Sequence, residues 1–188
     1  MLNPNLRPIE IMKSAFKIIC VLLLSAAALC AATAPAPAKK KTWAAPEQKI
    51  YAQELADRIL REHPELISVT LQGTPPGAAK DVYTMFAGSF PERIGNGSDP
   101  DDIEVILKGI TILDPRWRRP NDPVKKFVTL TPLRDAQGEN IGLLVLAYKN
   151  DGANAKTDDE FYAASMKLRQ EIQQSIPSFA ALFASAKS

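Results

Sequence analysis

The segment Phe127–Lys149 decides the fold. It reads FVTLTPLRD, then AQGEN, then IGLLVLAYK, so two apolar runs flank a short polar break that contains Gly138. This pattern predicts a β-hairpin. Alternation along the second arm gives two sets of side chains on opposite faces: Ile141, Leu143, Val145 and Ala147 on one, and Leu144, Leu146 and Tyr148 on the other. Because both faces are apolar, we expect a central strand that is covered on both sides.

The composition indicates a single globular domain without an electrostatic signature. The chain has 188 residues, 46% of them hydrophobic and 23% charged, which suits one domain plus a removable segment. Residues 1–32 hold three of the 23 basic and one of the 21 acidic residues, so the remainder is neutral. A neutral domain gives no reason to expect nucleic acid or an anionic membrane as its partner.

The N-terminal segment has the pattern of a signal peptide. A short basic stretch, Met12–Lys17, precedes the apolar run Ile18–Leu29, and several alanines follow it. We therefore predict a signal peptide over residues 1–32, with Met12 as an alternative start. The apolar run is shorter than the roughly 20 residues of a membrane span, which argues against an anchor. The predicted location is periplasmic or secreted, with no stable membrane span after cleavage.

Both cysteines, Cys20 and Cys30, lie in this N-terminal segment. A lipoprotein attached through Cys30 is the less favoured alternative, because Leu29 is not the small residue that should precede such a cysteine. Cleavage after Cys30 would leave no cysteine. The exported chain would then have no disulfide, thiol nucleophile or thiolate metal site.

The rest of the chain predicts a linker and one domain. Residues 33–46 are rich in Ala, Pro and Lys and predict a tether, so the domain is expected over residues 47–188. Periodicity and capping residues predict these elements in order: a helix at 47–62, strands at 66–72 and 82–87, a short helix from Ser98 or Asp99 to Lys108, a strand at 110–113, the hairpin, and a helix at 157–175.

This order of elements and the hairpin sequence Thr129–Tyr148 (TLTPLRDAQGENIGLLVLAY) resemble the PAS-like extracellular sensor family of the Cache or PDC type. The resemblance implies an α+β fold: a PAS-like five-stranded antiparallel sheet flanked by an N-terminal helix, a short crossing helix and a C-terminal helix. It also implies a ligand pocket between the sheet and residues 88–126. The chain would be a free-standing, exported version of a domain that usually belongs to membrane receptors.

Two groups of residues are candidates for ligand binding. Amino-acid-binding members of the family carry an arginine and aromatics before the closing hairpin, and Arg116, Trp117 and Arg118 resemble that cluster in position. Here the arginines and Trp117 are adjacent and no tyrosine follows, so amino-acid binding is not carried over. A guanidinium can bind a small organic anion through two hydrogen bonds. The alternative is an exposed loop whose arginines pair with nearby aspartates.

The second group, Tyr83 and Met85, shares one face of a predicted strand, with Phe86 opposite. These side chains are candidates to line the pocket, and the alternative is that they are part of the core.

The sequence contains no catalytic or metal-binding pattern. His63 is the only histidine and precedes Pro64 at a predicted helix end, so a capping role is simpler than general-base catalysis or haem ligation. The acids at positions 99–104 lack the glycine and distal glutamate of a calcium loop, and they fit a helix N-terminus better. We therefore expect no enzyme, no cofactor and no metal.

The favoured function is non-catalytic binding or sensing of a small molecule in the periplasm. The alternative is an exported accessory protein whose first or last helix binds a second copy or a membrane receptor.

Overall fold

The computed structural model describes residues 40–114 and 124–186. The predicted signal peptide and the first half of the predicted linker, residues 33–39, lie outside this part of the chain. The strands are antiparallel throughout: β1 (Leu66–Gly73), β2 (Thr84–Gly88), β3 (Ile112–Leu113), β4 (Lys126–Arg134) and β5 (Asn140–Lys149). Their order in the sheet is β2-β1-β5-β4-β3, which places β5 at the centre and confirms the predicted hairpin and central strand.

Three helices cover the two faces of this sheet. They are α1 (Tyr51–Glu62), α2 (Pro100–Lys108) and α3 (Asp158–Gln174). Helices α1 and α3 pack on one face and α2 packs on the other, mainly against β4 and β5. The predicted α+β, PAS-like five-stranded sheet with an N-terminal, a crossing and a C-terminal helix is confirmed.

The two faces bury different sets of side chains. The face under α1 and α3 contains most of the large ones, including Phe86, Phe127, Leu144, Leu146, Tyr148 and Phe161. The face under α2 contains a smaller group: Val105, Val128, Leu130, Leu143, Val145 and Ala147. Each face is therefore a separate apolar layer, and β5 contributes alternate residues to both.

The predicted facing of Ile141 is wrong. The register pairs Leu133 with Gly142 but Arg134 with Asn140, so Ile141 is an extra residue in β5. This bulge turns Ile141 away from Leu143 and onto the layer under α1 and α3. Gly142 permits it, because a Cβ at this position would clash with the carbonyl oxygen of Gln72 on β1.

The predicted start of the first helix is also wrong. Ile50 is extended and forms an antiparallel bridge with Ser185, and the amide of Tyr51 donates to Ala184 O at 2.8 Å. The C-terminal tail therefore pairs with the residues that were expected to form the first helical turn. This long-range pairing outweighs the local preference of Pro46 and Glu47 for a helix start.

The capping predictions for the other two helices are confirmed. Asp99 is the N-cap of α2 and forms a capping box with Asp102, and Gly109 ends the helix with φ of 65°. Thr157 and Glu160 form the corresponding box of α3.

The predicted end of the first helix is also confirmed. His63 is the C-cap residue of α1, and its amide donates to Ile59 O at 3.0 Å.

The outer edge of β2 is covered by further chain. Met85 exchanges backbone hydrogen bonds with residues 95 and 96, and Lys41 bridges to Asn96 in turn. Trp43 packs against the core and donates from Nε1 to Pro76 O at 3.1 Å. The packed unit therefore begins before residue 47, where the sequence placed its start.

Helix α3 is fixed to the sheet by a stacked pair of aromatic rings and a buried polar cluster. The rings of Phe127 and Phe161 stack with centroids 4.6 Å apart. Thr129 Oγ1 donates to Ser165 Oγ at 3.0 Å, and Ser165 Oγ lies 3.3 Å from the hydroxyl of Tyr148. Burial raises the pKa of Tyr148 to about 12, partly opposed by this hydrogen bond with Ser165.

We expect Gly142→Ala to lower the free energy of unfolding by about 3 kcal/mol, because the added methyl group meets a rigid backbone oxygen. Gly77→Ala is the matched control: Gly77 also has a positive φ, but nothing lies within 4 Å of its Cβ position. That variant should lose only about 1 kcal/mol. Urea denaturation measures both, and equal losses would contradict the role of the clash.

We expect the stability of the protein to fall as pH rises from about 10 to about 12. The unfolded chain releases the Tyr148 proton near its ordinary pKa of 10.0, whereas the folded state holds it to about 12. The proton therefore stabilises the fold below pH 10 by about 2–3 kcal/mol, and this contribution disappears by pH 12. Urea denaturation of Tyr148→Phe should show a shallower decline, and parallel profiles would refute the assignment.

Candidate functional site

The predicted strand residues lie at the start of β2. Tyr83 is half-buried just before the strand, and its carbonyl oxygen accepts from the amide of Ser98 at 2.9 Å. Met85 is 6% exposed and pairs across the strands with Gln72. Phe86, the next residue, belongs to the layer under α1 and α3, so Met85 points to the α2 side.

The other predicted ligand residues, Arg116, Trp117 and Arg118, lie outside the described residues. They belong to the connection between β3 and β4, whose flanking residues are Asp114 and Val124. Their part in a site stays a prediction.

A row of polar side chains on β1 was missed by the sequence reasoning. Ser68, Thr70 and Gln72 are 7%, 9% and 7% exposed. Across the strands they pair with three residues of the layer under α2: Ala147, Val145 and Leu143. The three polar side chains therefore project from the α2 face of the sheet, and we call them the β1 polar row.

The β1 polar row has unused hydrogen-bonding capacity. Ser98 Oγ donates to Gln72 Oε1 at 2.6 Å. Within residues 40–114 and 124–186, the hydroxyls of Ser68 and Thr70 and the amide nitrogen of Gln72 form no other side-chain hydrogen bond. None of these atoms is among the fully buried polar atoms that lack a partner, so each one stays accessible to solvent.

Small side chains surround this row. Helix α2 packs on β4 and β5, while the row lies beside it on β1. Ser68 faces Ala147 and Thr70 faces Val145, so the middle of this face carries short side chains. The result is a surface with a hydrogen-bonding side on β1 and an aliphatic side on β4 and β5. Such a surface suits a small molecule with one polar and one apolar edge.

Local sequence explains why the row was overlooked. The strand LISVTLQ reads as a regular strand, and its alternation of Ser, Thr and Gln with apolar residues is typical of a strand with one solvated face. The available signal was that β1 should flank the central strand, where neither face is exposed to water. Combining those two observations would have predicted polar side chains on a largely covered face.

A second concave region lies between α1 and α3. This cleft of about 260 Å³ is lined by Leu55, Arg58, Ile59, Glu62, His63, Leu168, Glu171, Ile172 and Ser175. Its floor consists of core residues that are already buried. In the described part of the chain, Tyr162 is the only exposed large apolar residue on either long helix. The apolar helix face that the partner-binding alternative requires is therefore not found there.

Two further findings concern membranes and metals. Within the described ranges, no helix is both long and apolar enough to cross a bilayer. Those ranges also contain no cluster of three or more side chains that could bind a metal ion.

The chain has distant structural likenesses and no family match. No family model and no curated protein matches it. Similar solved structures include the A. aeolicus nlh2 GAF domain in an inactive state (TM-score 0.47, 10% identity, 66% of this chain and 83% of that chain). Another is the type II free methionine-R-sulfoxide reductase of Thermoplasma acidophilum (0.45, 16%, 71% and 93%). A third is the GAF domain region of a putative membrane protein of Geobacter sulfurreducens PCA (0.44, 12%, 65% and 88%). Likenesses this distant say nothing of what the chain binds or does.

Proposed function

We propose that the domain binds a small molecule, without catalysis, on the sheet face beside α2. The observation that carries this proposal is the β1 polar row: Ser68 and Thr70 are less than 10% exposed as residues, yet their hydroxyls stay accessible to solvent and form no side-chain hydrogen bond with the described residues. A ligand can form hydrogen bonds with these accessible hydroxyls in place of water. Met85 borders the row and adds an adaptable apolar contact.

We propose further that the ligand carries an anionic group. Arg116 or Arg118 would bind it, with Trp117 stacking on an apolar part. Support comes from connectivity: these residues join β3 to β4, and Ile112 on β3 and Val128 on β4 both belong to the α2 side of the sheet. Tyr83 would line the same site from the entry to β2.

The proposed setting is the periplasm, where the protein would act as a sensor of the Cache or PDC type. The basic stretch followed by the apolar run Ile18–Leu29 supports export.

A partner-binding function is the second candidate, through a surface other than the long helices. In the described residues, Leu107, Ile110, Leu113 and Val124 are large apolar side chains exposed by 39% or more. All four lie on the stretch of chain from α2 to the start of β4. Exposed apolar residues grouped in this way are typical of protein interaction surfaces.

We expect Thr70→Val to weaken ligand binding by about tenfold without destabilising the fold. Valine keeps the shape of threonine, and the lost hydroxyl has no described partner. Thr131→Val is the matched control: Thr131 lies on the other face of the sheet and donates to Leu144 O at 3.3 Å. The control should lose about 1 kcal/mol of stability and keep ligand affinity.

The measurement is a thermal-shift screen of the full-length protein against organic acids, amino acids and purines. A compound that binds the folded state raises the melting temperature by mass action. For such a compound, Thr70→Val should weaken binding by about tenfold, the equivalent of one lost hydrogen bond. Equal affinity in wild type and Thr70→Val would refute the site. A protein that responds to no compound and is recovered with a partner would favour the second candidate.

We expect export to remove the N-terminal segment close to Thr33. Mass spectrometry of protein from the periplasmic fraction should find a start near residue 33. Leu23→Arg, which places a charge in the apolar run, should leave the intact chain in the cytoplasm. Intact wild-type protein in the cytoplasm would contradict the proposed location.

A further inference from the structure

Helices α1 and α3 pack on the same face of the sheet, and the cleft between them has a volume of about 260 Å³. This volume is just below the roughly 300–1,000 Å³ of clefts that hold drug-sized ligands, so a smaller molecule fits. The helices are joined at one end of the cleft, where the hydroxyl of Tyr51 on α1 donates to Ser175 O at 2.7 Å.

The floor of this cleft is aliphatic and closed, whereas its walls are polar. The floor consists of four core side chains, two from each helix, that are exposed by 6% or less. The walls consist of polar side chains from both helices and the α1 C-cap: Arg58, Glu62, His63, Glu171 and Ser175. A molecule in the cleft therefore meets mainly charged and hydrogen-bonding groups, and a long apolar tail would gain little contact.

Opposite charges on the α1 wall do not pair with each other. Arg58 is half-buried, and within residues 40–114 and 124–186 it has no carboxylate within 4.0 Å and no side-chain hydrogen bond. In the same ranges, the carboxylate of Glu62, one turn further along α1, has no basic side chain within 4.0 Å. Arg61, by contrast, lies 3.7 Å from Glu54. The cleft thus holds a guanidinium and a carboxylate that line the same space and stay apart.

Glu171 places a second negative charge on the α3 wall. Its carboxylate lies 4.0 Å from Lys167 Nζ, and the two side chains are 53% and 82% exposed. Exposed ion pairs of this kind contribute little to stability, so Glu171 is available to another cation. The hydroxyl of Ser175 lies on the same wall and has no hydrogen-bond partner in the described part of the chain.

We propose that the cleft between α1 and α3 binds a small zwitterion that carries one carboxylate and one ammonium group. Arg58 presents a planar fork of donors that matches the two oxygens of a carboxylate. Glu62 and Glu171 accept hydrogen bonds from the ammonium group. A molecule with a single charge leaves one of these partners unused or repelled, so the second charge provides specificity. This site shares no residue with the β1 polar row, so it does not depend on the proposed ligand function.

NMR titration of the full-length, isotope-labelled protein with L-alanine tests this site. We expect saturable shifts of backbone amides that line the cleft, such as those of Arg58 and Ser175, with half-saturation below about 10 mM. Propionate lacks the ammonium group and ethylamine lacks the carboxylate, so each should bind at least about tenfold more weakly than alanine. Propionate binding as tightly as alanine would show a plain anion site and contradict the proposal, as would shifts that do not saturate.

Arg58→Gln should weaken alanine binding by about tenfold or more, and Arg58→Lys, which keeps the charge but loses the fork, should fall in between. Arg61→Gln is the matched control, because this side chain is 63% exposed on the same helix and its loss also removes one positive charge. Equal weakening in Arg58→Gln and Arg61→Gln would show a general charge effect and refute the site. Thr70→Val should bind alanine like wild type. Saturable shifts confined to Ser68 and Thr70 would place alanine in the β1 polar row, which would refute the cleft and leave the proposed function standing.

Discussion

The central strand β5 presents apolar side chains to both sides of the sheet, and the helices are arranged so that both sides are covered. Leu144, Leu146 and Tyr148 require one cover, which α1 and α3 supply. Leu143, Val145 and Ala147 require another, which α2 supplies. Burial of each large aliphatic side chain contributes roughly 1.5–3 kcal/mol, so leaving either face open to water would cost more than any cap or turn could offset.

The two layers built on β5 differ in a way that matters for function. The layer under α1 and α3 is filled by large side chains and stacked aromatic rings, and the C-terminal tail closes it by pairing with the start of α1. The layer under α2 is smaller, and α2 itself packs mainly on β4 and β5. The neighbouring strip on β1 carries the β1 polar row instead of aliphatic side chains, although its residues are also less than 10% exposed.

Local signals in the sequence predicted most helices and strands. Long-range contacts account for the features that the sequence did not predict. The hairpin, the capping boxes at Asp99 and Thr157 and the stop at His63 depend on neighbouring residues, so they could be read directly. The bulge at Ile141 depends on the approach of Gln72, and the late start of α1 depends on the C-terminal tail.

Threonines lie on both faces of the sheet, and their hydroxyl groups differ in their hydrogen-bond partners. Thr129 and Thr131 face the layer under α1 and α3, and both hydroxyls donate, to Ser165 Oγ and to Leu144 O. Thr70 occupies an equivalent, buried position on the opposite face, and no described residue accepts from it. That hydroxyl is not among the fully buried polar atoms that lack a partner, so it stays accessible to solvent. The two faces of the sheet therefore differ: the threonine hydroxyls under α1 and α3 are used in internal hydrogen bonds, whereas that of Thr70 is available to a partner from outside the chain.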